Sequence, residues 1–173
     1  MLVTLTPHPD TPSSAIDRIE VDVERREGFI WLRYVVYGDP GRVRWPEAAE
    51  PERADDLWRH TCFEAFAPTD EGYREFNLSP SGAWASYRFD GYRSGMAPAD
   101  ERAQVLDFEA TELWVSMEAL VEAPAEAVCI GLSAVIEDID GGISYWALAH
   151  PPGKPDFHHP DSFALTLPPP EPA

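Results

Sequence analysis

The stretch DDLWRHTCFEAFAPTDEGYREFNLSPSGAWASYRFDGYRSGM, Asp55 to Met96, breaks into three short runs with a period of two, separated by turn residues. In Thr61–Ala67, Cys62, Glu64 and Phe66 fall on one face, with Phe63 and Ala65 on the other. Tyr73–Leu78 sets Tyr73, Glu75 and Asn77 against Phe76 and Leu78, and Trp84–Phe89 sets Trp84, Ser86 and Arg88 against Ala85, Tyr87 and Phe89. A strand turns successive side chains to opposite faces, so each run has one polar side. If the three pair as neighbours, one sheet face presents Glu64, Tyr73, Glu75, Asn77, Trp84 and Arg88, while Phe63, Phe76, Tyr87 and Phe89 point into the core. Acceptors, donors and flat rings on one surface are what a polar, ring-shaped ligand such as a sugar needs.

The rest of the chain follows the same grammar. Ile16–Glu24 alternates Ile19, Val21 and Val23 with acidic residues, and Phe29–Gly38 is apolar on both faces, as in a central strand. Arg42–Glu52 reads as a loop, Ala103–Glu109 and Thr111–Met117 as strands, and Glu118–Val121 as one helical turn before Pro124. Ala127–Glu137 is a long buried strand, Asp138–Gly142 a hairpin turn, Ile143–Ala149 the returning strand, and Ser162–Leu167 the last. The 18 prolines and 11 glycines in 173 residues demand many turns and short elements and argue against an all-helical fold. The expectation is an all-β fold, an antiparallel β-sandwich of roughly nine to ten strands with little helix. It is one domain over residues 15–167, with flexible termini at 1–14 and 168–173.

Thirteen basic against 31 acidic residues give a net charge of −18, which repels phosphate backbones and anionic lipid head groups and so argues against nucleic acid or a membrane as partner. The opening MLVTLTPHPDTPSS lacks a basic region followed by an apolar run, so the expected compartment is the cytoplasm. Cys62 and Cys129 are read there as reduced, buried thiols.

Other chemistries compete for the same residues. His60, Cys62, His150, His158 and His159 would suit zinc if they met, but no CxxC or HExxH spacing supports a metal site. Haem would need an axial pair such as Met96 or Met117 with a histidine. Glu64 and Glu75, on neighbouring runs, form a carboxylate pair of the kind glycosidases use. Asp138–Gly142 lacks the distal glutamate of a calcium loop, and neither Ser79 nor Ser81 sits in a nucleophile elbow.

At Asp55–Trp58, Cys62–Phe66, Tyr73–Gly82 and Trp84, and again at YWALAHPPGKPDFH from Tyr145 to His158, the chain resembles the DOMON-like domains, in particular a bacterial group of single-domain proteins. These domains are related to family 9 carbohydrate-binding modules. The resemblance implies a β-sandwich that binds a small ligand, sugar in some members and haem in others. It also implies a stacking pair of rings, with Trp84 facing Trp146 or Trp58. The loop His150–His159 is expected to close over one end of the site. The expected ligand-binding set is therefore Glu64, Tyr73, Glu75, Asn77, Trp84, Arg88, Trp146, His150 and His158. No catalytic residue is assigned, and a saccharide is the expected ligand.

Overall fold

Alternation decides the first long strands. Ile19, Val21 and Val23 are buried while their neighbours reach solvent, and the next strand buries Ile30, Leu32, Tyr34 and Val36 in step. The computed structural model describes residues 1–169. Its strands are β1 (Leu2–Pro7), β2 (Ile16–Arg26), β3 (Phe29–Gly38), β4 (Cys62–Thr69), β5 (Gly72–Leu78), β6 (Trp84–Phe89), β7 (Ala97–Pro98), β8 (Ala103–Ala110), β9 (Trp114–Val121), β10 (Cys129–Glu137), β11 (Ile143–Ala147) and β12 (Leu165–Thr166). The other regular elements among the described residues are three short 3-10 turns, at Pro40–Arg42, Leu57–Arg59 and Pro160–Ser162. None of them is a helix long and apolar enough to cross a membrane.

Hydrogen bonding runs in the order β7-β6-β5-β4-β10-β11-β1-β2-β3-β9-β8, with β12 added beside β10, and every strand pair is antiparallel. β1 is the joint. Its first four paired residues lie along β2, then Thr6 and Pro7 cross to β11, so the sheet curls back on itself as a half-barrel. The core fills the curl, with Ile19, Leu32 and Met117 from one arm packed in the same cluster as Phe63, Phe76 and Trp146 from the other. Tyr34 spans the two arms. Its ring packs on Phe63 at 4.7 Å and its hydroxyl donates to the Glu64 carbonyl at 2.9 Å, giving a buried polar tip the partner it requires.

Four expectations change. Among the described residues the strands number twelve, β7 and β12 being of two residues each. Residues 1–14, expected to be flexible, contain β1, which is too short and too mixed to announce itself until β2 and β11 supply partners. Glu118–Val121 forms no helical turn: it continues β9, held by β3 on one side and β8 on the other, and ladder bonds on both edges outweigh a weak local preference. The fourth concerns β6. The turn after β5 sets Leu78 opposite Trp84, Phe76 opposite Ser86, Asn77 opposite Ala85, Glu75 opposite Tyr87 and Tyr73 opposite Phe89. Directly opposed residues share a face, so Tyr87 and Phe89 stand with the polar set and Trp84 and Arg88 do not. Of the expected tail, residues 170–173 lie outside the described residues.

Candidate functional site

Turned away from the core, one face of β4, β5, β6, β10 and β11 carries Phe66, Tyr73, Ala85, Tyr87, Phe89, Val135 and Ala147, and Phe157 packs onto it from the late loop. A wet outer face would leave these rings in water; here the segments around Arg93 and His158 cover them. Between cover and sheet lies a cleft of about 630 Å³, with Glu64, Glu75 and Val135 on its floor and Trp58, Phe89, Tyr145 and Phe157 among its walls.

The floor is unusual for its buried charge. Glu64 and Glu75 are 3% and 4% exposed, and antiparallel geometry makes them diagonal neighbours, since Glu64 lies opposite Asn77 and Glu75 opposite Phe66. The Ser133 hydroxyl donates to Glu64 Oε2 at 3.1 Å, and Asn77 Nδ2 donates to Glu75 Oε1 at 2.8 Å. Burial, together with the neighbouring Glu75 carboxyl, pushes the Glu64 carboxyl up to about 8. Burial also raises Glu75 to about 7, against the pull of the Asn77 hydrogen bond and Arg93. Near neutrality the pair therefore holds protons that ordinary glutamates would have lost. The Cys62 thiol, buried beside Glu64, is pushed well above its usual range, which removes it as a nucleophile.

Around this floor runs a chain of donors. The Arg93 backbone N–H donates to the Tyr73 hydroxyl at 3.3 Å, and that hydroxyl pairs with His158 Nδ1 at 2.7 Å. Because the hydroxyl already accepts from Arg93, its own proton is used best toward His158, which puts the imidazole proton on Nε2. Burial, with Arg93 nearby, holds His158 down at about 4, so the ring is neutral. Its Nε2 lies 3.7 Å from Glu75 Oε2, too far for a hydrogen bond, and a neutral ring makes no ion pair there. Arg93 is fixed in the left-handed region at φ 52°, and its guanidinium donates to Asp156 at 2.8 Å. Asp156 also accepts from the Tyr92 hydroxyl; although burial raises this carboxyl, Tyr92 and Arg93 bring it below the ordinary range.

Of the nine residues expected to bind, Glu64, Tyr73, Glu75, Asn77 and His158 come together, and the late loop covers the cleft through Lys154, Pro155, Phe157 and His158. The other four lie elsewhere. Trp84 packs against the core, under the Arg53 guanidinium at 4.9 Å, and borders a separate hollow of about 410 Å³. Arg88 points to solvent from the same face of β6, 3.4 Å from Asp90. Trp146 is buried between the arms, its indole N–H donating to Ser144 at 3.0 Å, so it cannot stack on a ligand with Trp84. His150 donates to the Thr6 carbonyl at 2.8 Å and sets its ring on that of His8. The histidines and Cys62 are likewise dispersed, His60 pairing with Glu137 and Cys62 lying buried.

Several lining residues carried no expectation as binders. Ser133 stands out in retrospect as the one hydroxyl in the apolar run CIGLSAVI, and Lys154 is the sole lysine of the chain. Trp58, expected only as a possible stacking partner of Trp84, lines the cleft without Trp84; Phe157 had no signal, because loops lack a period, and Tyr145 had none because its strand β11 carries no clear polar side. For haem, Met96 and His158 do border the same cleft, but His158 has Nδ1 on Tyr73 and turns Nε2 toward Glu75. Comparison of the chain with family models, with curated proteins and with solved structures returns no match.

Proposed function

We propose that the cleft over β4, β5 and β10 binds a small polar ligand, a saccharide, without transforming it. We further propose that the two arms of the sheet act as the layers of a DOMON-like β-sandwich, in keeping with the sequence resemblance. The observation that carries the binding reading is the pairing of an acceptor-rich floor with aromatic walls. Glu64 and Glu75 offer carboxyl oxygens to hydroxyls, while Trp58, 46% exposed, offers a flat ring to a C–H-rich sugar face. Calorimetric titration of the protein with a panel of mono- and disaccharides tests it. Binding that Trp58→Ala weakens by roughly 1–3 kcal/mol supports the reading. A panel that gives no heat refutes it.

One observation favours a second reading. Two neighbouring carboxyls with raised and unequal proton affinities are the equipment of a glycoside hydrolase, one as general acid and the other as base or nucleophile. Release of nitrophenol from nitrophenyl glycosides, abolished by Glu64→Gln and by Glu75→Gln, would establish hydrolysis in place of simple binding.

A further inference from the structure

The cleft floor is short of donors. Among the described residues, Ser133 is the one hydrogen-bond donor to the Glu64 carboxyl and Asn77 the one to that of Glu75. Asn77 is completely buried; it faces Glu64 across the ladder and bonds Glu75, so its amide links the two carboxyl positions, yet its Oδ1 has no donor. Two buried carboxyls at the cleft thus have unspent acceptor capacity, with the unpaired Asn77 Oδ1 buried beside them, and leaving such groups unpaired is costly. A sugar hydroxyl meets one of them and adds an acceptor of its own. A primary ammonium brings three donors, no acceptor and the compensating charge. The walls agree in composition, since Trp58, Phe89, Tyr145 and Phe157 line the cleft and aromatic rings attract cations.

We propose that the group seated between the Glu64 and Glu75 carboxyls of the floor is a primary ammonium, which makes the ligand an amino sugar. The proposal rests on the saccharide reading of the cleft and narrows it. The groups facing the carboxyls are consistent with the assignment. From β5 and β6 come Asn77, Tyr73 and Tyr87, from β10 comes Ser133, and beneath lie Cys62 and Tyr34, none of them cationic. From the covering segments come neutral His158, Asp56, and Arg93, whose charge favours both carboxylates although its guanidinium donates to Asp156, while Lys154 lies exposed on the border. Without a ligand the floor balances itself by retaining protons; an arriving ammonium displaces them, so binding releases protons to solvent.

The experiment is calorimetric titration of the full chain at pH 7, in phosphate and in MOPS, with glucosamine, N-acetylglucosamine, glucose and butylammonium. The inference expects glucosamine to bind at least about tenfold more tightly than glucose or N-acetylglucosamine, with heats that differ between buffers as proton release requires. Butylammonium, charged throughout, should gain at least about tenfold in affinity from pH 6 to pH 8. Glu75→Gln, with its fold verified by circular dichroism, should erase the amine preference. Glucose and glucosamine binding within about twofold would overturn the ammonium inference and leave the saccharide reading standing. Binding of butylammonium with no sugar bound more tightly would uphold the ammonium and overturn the saccharide. Silence from both amines, or an amine preference that survives Glu75→Gln, overturns the inference.

Discussion

Glu64→Gln should stabilise this protein at alkaline pH and leave it nearly unchanged at acid pH. The folded protein keeps a proton on Glu64 up to about 8, whereas the unfolded chain loses it near the ordinary value of 4.5. Between those limits the native state binds more protons than the unfolded one, so stability falls as pH rises through the window and the loss is complete above 8. Each tenfold difference in proton affinity corresponds to about 1.4 kcal/mol, which makes the loss on the order of 3–5 kcal/mol. Glutamine has the shape of the protonated acid, can still accept from Ser133, and brings an N–H2 group that can serve the unpartnered Asn77 Oδ1. Urea unfolding of both proteins at pH 5, 6, 7 and 8 measures the effect. The curves should nearly coincide at pH 5 and separate to a variant more stable by about 3–5 kcal/mol at pH 8. An equal difference at both ends, or a less stable variant at pH 8, would refute the burial argument for the pair. Because the Glu75 carboxylate contributes to the rise, Glu75→Gln alone should flatten part of the same slope.

The core and the cover of the cleft each set a further outcome. Phe76→Ala removes a wholly buried ring from the core between the arms and should cost about 3–5 kcal/mol in chemical denaturation, with a loss under about 1 kcal/mol contradicting its placement. His158 has the opposite sign to Glu64: its folded affinity for protons is depressed to about 4, so the unfolded state protonates first and stability is lost as pH falls from 6.5 toward 4. His158→Gln should lack that acid-side loss of about 2–3 kcal/mol, read from thermal unfolding between pH 4 and 7.

How much of this was visible in the chain depends on what sets each feature. Period-two patterning in β4 and β5 is local, and it placed Glu64, Glu75 and Asn77 on one face with Phe63 and Phe76 on the other. The face of β6 is not local. It depends on the register that the Ser79–Ala83 connection imposes, and sorting by polarity alone exchanged Tyr87 and Phe89 for Trp84 and Arg88. Trp146 was misplaced for a related reason. Its run ISYWA is apolar on both sides, so nothing marks which face meets the core until β10 pairs Ala134 with it. β1 depends on two partners far along the chain, and the cleft depends on the segments around Arg93 and His158, where prolines and glycines leave no period to read. The buried setting of the two glutamates was likewise hidden, because alternation cannot distinguish a solvated face from one that a loop covers.

The central claim is that ligand binds on the covered face of β4 and β5 and not on the face that presents Trp84 and Arg88. Parallel calorimetric titrations of Trp58→Ala, Glu75→Gln, Trp84→Ala and Arg88→Lys with the best-binding sugar of the panel test it most directly. The account predicts that the first two weaken binding at least about tenfold while the last two bind like the parent. Loss of binding in Trp84→Ala and Arg88→Lys, with Trp58→Ala and Glu75→Gln unaffected, would contradict it.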